Sequence, residues 1–198
     1  MANILTSSIG KKLIMSISGL FLIIFLLLHM SINLFAVLDL VSGTYGAPDG
    51  LFQKGCDFMS LPIVTVMVPV LALGFVIHIF YGWTNLKARG GYCRYAVSSK
   101  AKTDSFASRN MIVLGIIILG FIAFHLTHFW ADMQLKHFTG LEESNPYDLL
   151  DATFGRWWVT VLYLVWFGAI WFHLSHGFWS AFQTFGWNNM IWLKRLKV

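Results

Sequence analysis

Residues 13–37 read LIMSISGLFLIIFLLLHMSINLFAV, twenty-five positions without an Asp, Glu, Lys or Arg. A helix rising about 1.5 Å per residue needs roughly 20 apolar residues to cross a bilayer core. In lipid the backbone must hydrogen-bond to itself, so a block of this kind reads as a helix. Three more blocks are of the same kind: Leu61–Leu86, Met111–Trp130 and Trp157–Phe182. The chain of 198 residues is 57% hydrophobic and only 12% charged, against about 25% charged in soluble domains. Its mean hydropathy is +0.68. The expectation is an all-α membrane protein, a helical bundle of four spans, with 1–198 as a single transmembrane domain. The first block follows Lys11 and Lys12, outruns a signal-peptide core and closes on no small-residue cleavage site. It is therefore read as a retained span.

Charge sets the orientation. If the N-terminus is cytoplasmic, the inner segments hold eleven of the fourteen basic residues: Lys11, Lys12, Lys87, Arg89, Arg94, Lys100, Lys102, Arg109, Lys194, Arg195 and Lys197. Only Lys54, Lys136 and Arg156 fall outside. That bias predicts both termini inside. The net charge of +5 is thus a topology signal, and no nucleic-acid partner is expected. Cys56 and Cys93 fall on opposite sides of the membrane and cannot bridge. No C-x-x-C-H is present, which excludes covalently attached c-type haem.

Six of the seven histidines lie within the spans, where ionisable groups are costly and face the bundle interior. Their depths are ordered. His29 and His125 come sixteen and fourteen residues after the inner starts of spans one and three, in the outer half. His78 and His173 come seventeen and sixteen residues after the outer starts of spans two and four, in the inner half. At 1.5 Å per residue the two levels are roughly 10–15 Å apart. Two imidazoles at one depth on different helices suit the two axial bonds of one haem iron, and the arrangement occurs twice.

The spacing repeats along the chain. His29 to His125 is 96 positions and His78 to His173 is 95. Gly19 and Gly115 each precede an outer histidine by ten; Gly82 and Gly177 each follow an inner one by four. A glycine one turn along the same face leaves room for a flat macrocycle, although small residues also serve plain helix packing. The runs FHLTH and FHLSH each carry a second histidine, His128 and His176, at i+3. One iron takes one imidazole per helix, and only the first of each pair keeps the repeat. His128 and His176 are left for a propionate contact, a quinone pocket or an interfacial tip.

Other metal and transport chemistries fit less well. A membrane di-iron site gathers about eight imidazoles at one depth, with acids to bridge the irons, and the four blocks contain no acid. A transporter pairs intramembrane acids with broken helices, and only Pro62 and Pro69 interrupt a block. Most of the tryptophans sit near span ends, as an interfacial belt does.

Four stretches carry a resemblance: SSIGKKLIMSISGLFLIIFLLLHMSIN, HIFYGWTNLKAR, SRNMIVLGIIILGFIAFHLTHF and FHLSHGFWSAFQTFGWNN. Together they cover most of the chain, which resembles the dihaem cytochrome b subunit anchoring succinate dehydrogenases and quinol:fumarate reductases. The resemblance implies two haem b groups. His29 and His125 would ligate the outer one, His78 and His173 the inner one. It implies a multi-pass protein of the inner (cytoplasmic) membrane, with an iron–sulfur subunit and a flavoprotein docked on the cytoplasmic side near Lys87–Arg109. Electrons would pass between that pair, which interconverts succinate and fumarate, and a quinone, with menaquinone the favoured kind. The chain alone lacks a dicarboxylate site. Candidate quinone contacts are Asn33, His128, Trp130 and Asp132, with Asp57 as a proton acceptor. Arg109, beside Ser108, is a candidate for an inner propionate. The family has a fifth helix after the last ligand, where this sequence has GWNNMIWLKRLKV. The runner-up is a dihaem anchor of a hydrogenase or formate dehydrogenase.

Overall fold

The computed structural model describes residues 7–88, 106–142 and 144–187. Every regular element among them is helical. Helix α1 runs Ser8–Ser42, α2 Leu51–Met59, α3 Pro62–Ala88 and α4 Phe106–His125. After α4 the backbone continues as a π-helical segment, Leu126–Leu135, then α5, Lys136–Thr139. Helices α6, Pro146–Phe154, and α7, Trp157–Thr184, complete the set. Four of these runs are long and apolar enough to cross a membrane: Ser8–Ser42, Pro62–Lys87, Phe106–Thr139 and Trp157–Thr184. The protein is an all-α, four-span, multi-pass membrane protein, as the four blocks predict.

Most of the large apolar side chains on these helices are not covered by protein. Ile24, Val66 and Leu164 are 68%, 64% and 63% exposed. Water would not tolerate so wide an apolar surface, whereas hydrocarbon costs it nothing. Each long helix runs past its apolar block at one end or both. At the start of α1 the Ser7 hydroxyl accepts from Gly10 N at 3.0 Å. At its end Gly43 takes a left-handed φ of 77°, a conformation that ends a helix at little cost only for glycine.

The chain divides into two compact units. The first comprises Met1–Ile24, Val70–Gly115 and Ile170–Val198. Within it α3 packs directly on α1: a Cβ at Gly74 would lie 2.9 Å from the Phe21 ring. The second comprises Phe25–Pro69 and Ile116–Ala169. Its core is Ile32, Ala36, Phe52, Cys56 and Tyr147, flanked by Phe35, Tyr45, Met59, Met133 and Leu150.

Two short helices organise this second unit, and hydropathy gives no sign of either. Asn145 caps α6, its side-chain oxygen accepting from Tyr147 N at 2.9 Å, with Pro146 in the first turn. Helix α2 has no side chain at its own cap, Gly50. The cap comes instead from Asp39 on α1, whose carboxylate accepts from Leu51 N at 2.9 Å and Phe52 N at 2.8 Å. The absence of acids expected of the spans therefore holds for the apolar blocks but not for the full helices, since α1 carries a fully buried Asp39.

Cys56 sits in this core, on α2. Burial, with Asp57 adding to it, pushes the thiol up to about 12. At pH 8 that leaves about a thousandfold less thiolate than an ordinary cysteine has. A maleimide should leave Cys56 unmodified in the folded protein over a time that labels the denatured chain fully. Prompt labelling, located by peptide mass, would mean that α2 is not seated on α1.

Candidate functional site

In the second unit, His29 of α1 faces His125 at the end of α4. Their ring centroids are 5.7 Å apart and their planes 89° apart. Phe25, one turn earlier on α1, stacks on His29 at 5.6 Å and 22°. His125 stands against an aromatic wall from α7. Its Nδ1 is 3.4 Å from the Tyr163 hydroxyl, and its centroid is 5.7 Å from Trp166. Tyr163 is only 4% exposed, and its ring packs edge-on to Trp166 at 5.4 Å.

In the first unit, His78 of α3 faces His173 of α7, with centroids 6.3 Å and planes 69° apart. His78 Nδ1 is 3.3 Å from Ser18 Oγ. Ser18 donates its own proton to the Met15 carbonyl at 3.0 Å. His173 Nδ1 is buried without a hydrogen bond.

The glycines divide differently from the expectation. A Cβ at Gly19 would lie 3.2 Å from His78 Cε1, and one at Gly115 would lie 3.8 Å from His173 Cε1. Both therefore serve the His78–His173 pair, not the histidines ten residues after them. Gly82 faces open space, and the nearest atom to a Cβ on Gly177 is Met111 Cε at 3.9 Å. All four glycines thus belong to the first unit. In the second unit Gly120 and Gly168 face open space; neither has a glycine at its counterpart in the other half of the chain, Ile24 and Leu73.

These pairs suit a metal held axially between two imidazoles. A metal–imidazole bond of about 2 Å on each side sets two ring centres about 6 Å apart, the separation both pairs have. Among the described residues no three His, Cys, Asp or Glu side chains gather into a metal-binding group, so the protein offers two ligands at each place. A haem, which brings four nitrogens of its own, would take two protein ligands of this kind and fits such a donor set. In the second unit the indole N–H groups of Trp130 and Trp166 are buried without partners, which fits the same conclusion. A bound group bearing acceptors would satisfy such donors.

The remaining candidates are spread out. His128 lies in the π-helical segment and donates from Nδ1 to the Phe124 carbonyl at 3.0 Å. Its Nε2 is thereby left bare. His128 and Asp132 line a cavity of about 360 Å³ with Thr127, Thr153 and Arg156. Asp132 is also paired with Lys136. Asn33 is exposed and donates its amide to the His29 carbonyl at 2.8 Å. Asp57 accepts from Gln53 at 2.8 Å and borders a second cavity, of about 300 Å³. Arg109 is exposed in the first turn of α4, and His176 lies one turn beyond His173 on α7. Sequence reasoning missed the π-helical segment, a conformation that often marks functional sites. It also missed Ser18 and Tyr163. Arg89, Cys93, Arg94, Lys100, Lys102 and Asp104 of the expected docking loop lie outside the described residues, as do Lys194, Arg195 and Lys197.

Fold and site together define a class: a four-span membrane protein with two pairs of facing histidines, one in each compact unit. No protein-family model, curated protein or solved structure matches the chain.

Proposed function

We propose that this chain is a dihaem cytochrome b membrane anchor of a succinate:quinone oxidoreductase. The observation that carries the haem reading is the spacing of the two histidine pairs, 5.7 and 6.3 Å between centroids. The choice of partner enzyme rests on the sequence resemblance. When bound, two b haems would supply one-electron transfer between a quinone pool and a cytoplasmic iron–sulfur and flavoprotein pair that interconverts succinate and fumarate.

The chain's own residues have separable tasks. His29, His125, His78 and His173 present ring nitrogens in facing couples. Gly82, Gly177, Gly120 and Gly168 keep side chains out of the space a flat group needs. The cavity at His128 is of a size for a quinone head group. Arg156 and Thr153 offer donors to a carbonyl there, and the bare His128 Nε2 is an acceptor for a quinol hydroxyl proton. Trp130 N–H is a further donor in the same unit.

The native complex, purified in mild detergent, should contain two b-type haems per chain by alkaline pyridine spectrum. It should oxidise succinate, and not hydrogen or formate, with a quinone acceptor. Absence of porphyrin ends the proposal; hydrogen or formate oxidation moves the anchor to another respiratory enzyme. A Cβ at Gly82 meets no protein atom within 4 Å. Gly82→Leu should therefore fold normally and still lose up to one haem per chain. Full haem retention would show that Gly82 borders no macrocycle.

A further inference from the structure

In the first unit, the two contacts of the Ser18 hydroxyl favour the proton on Nδ1 of His78. The Ser18 hydroxyl has one hydrogen, and it is given to the Met15 carbonyl at 3.0 Å. The Ser18 oxygen, 3.3 Å from His78 Nδ1, is therefore left as an acceptor. The bond forms only if Nδ1 bears the hydrogen. A neutral imidazole has one N–H, so Nε2 of His78 is bare, with its lone pair available to a metal. Ser18 is itself buried, 7% exposed, so water does not compete for the bond. Gly19, next to Ser18 on α1, leaves room for the ring: a Cβ there would lie 3.2 Å from Cε1.

The second unit has a counterpart built from different parts. The Tyr163 hydroxyl is 3.4 Å from His125 Nδ1, and the phenol is buried among Phe121, Phe154 and Trp166. A phenol oxygen accepts as well as donates. With Nε2 of His125 facing a metal, Nδ1 must carry the hydrogen, and Tyr163 is its acceptor. The serine comes from α1 and the tyrosine from α7. The two hydroxyls are therefore not images of one another in the internal repeat.

We propose that Ser18 and Tyr163 are positioning residues, one for each histidine pair. Each holds one imidazole in the Nδ1–H tautomer and makes its Nε2 a stronger ligand. An acceptor on the far ring nitrogen raises ligand basicity and so favours the more highly charged, oxidised state of a bound iron. This inference rests on the haem reading above.

The test is a potentiometric titration of the native complex, followed optically, in wild type and three variants. In Ser18→Ala the midpoint potential of one haem should rise while the other stays at its wild-type value. In Tyr163→Phe the second haem should rise and the first stay. Ser18→Thr, which keeps a hydroxyl, should titrate as wild type. A wild-type complex without haem removes the reading of function, and this inference with it. A wild-type complex with two haems whose potentials are unmoved in both Ser18→Ala and Tyr163→Phe overturns the inference alone. The same follows if both variants shift the same haem. Should Ser18→Ala lose its haem altogether, retention at wild-type potential in Ser18→Thr supports the hydrogen bond. Loss in Ser18→Thr as well assigns the effect to volume and overturns it.

Discussion

If the proposed haem reading holds, replacing His78 or His173 with alanine should remove one b-type haem and leave the other, and replacing His29 or His125 should do the reverse. In each variant haem content should fall from about two to about one per chain, because an axial imidazole carries one of only two protein bonds to the metal. Pair membership is then read from double variants. Residues that act on one group are non-additive, whereas residues acting on separate groups add. His78→Ala/His173→Ala should therefore look like either single variant. His78→Ala/His125→Ala should lose both haems. The pairing rests on facing rings, His29 with His125 and His78 with His173. A double variant in the first unit that loses both haems, with helicity intact by circular dichroism, would break it.

The four spans and the four paired histidines were legible because both signals are local or periodic. An apolar block announces a span without reference to any other segment. The repeat of 96 and 95 positions brings distant histidines into register before any fold is known. The glycines show where that arithmetic stops. Ten residues along a helix is about 15 Å. Gly19 and Gly115 therefore lie too far along their helices to serve the histidines they were counted from, and they meet His78 and His173 instead. Helices α2 and α6 were illegible because neither is apolar enough to stand out; the cap of α2 comes from Asp39, outside its own window, whereas Asn145 and Pro146 mark the start of α6 locally and were passed over. Ser18 reads in sequence as a small polar residue in a span. Only its approach to a histidine 60 positions away gives it a role. The π-helical turn after His125 has no compositional signature at all.

Asp39 illustrates the same limit at larger cost, since in the sequence it is a lone acid just past an apolar block. In the fold it is fully buried and saturated with donors. One carboxylate oxygen accepts from the Thr44 hydroxyl and Leu51 N, each at 2.9 Å. The other accepts from Phe52 N and the Tyr147 hydroxyl, each at 2.8 Å. One side chain on α1 thus caps α2, whose first N–H groups have no partner within their own helix, and also ties α6 to both through Tyr147. Asp39→Ala takes the acceptor from all four and leaves two of them, Phe52 N and the Tyr147 hydroxyl, buried without it, which costs more than a simple hydrogen-bond deletion. The melting temperature of the purified complex should fall by about 5 °C or more. Protease sensitivity should appear first around residues 44–60 and 144–155. Asp39→Asn keeps one acceptor oxygen and should lie between alanine and wild type. Gly50→Ala should act in the same direction, because its Cβ would collide with the Tyr147 hydroxyl. The His78–His173 pair lies in the other compact unit, so its haem should persist in Asp39→Ala under conditions where the His29–His125 haem is lost. Equal loss of both, or an unchanged melting temperature, would show that Asp39 does not hold the second unit together.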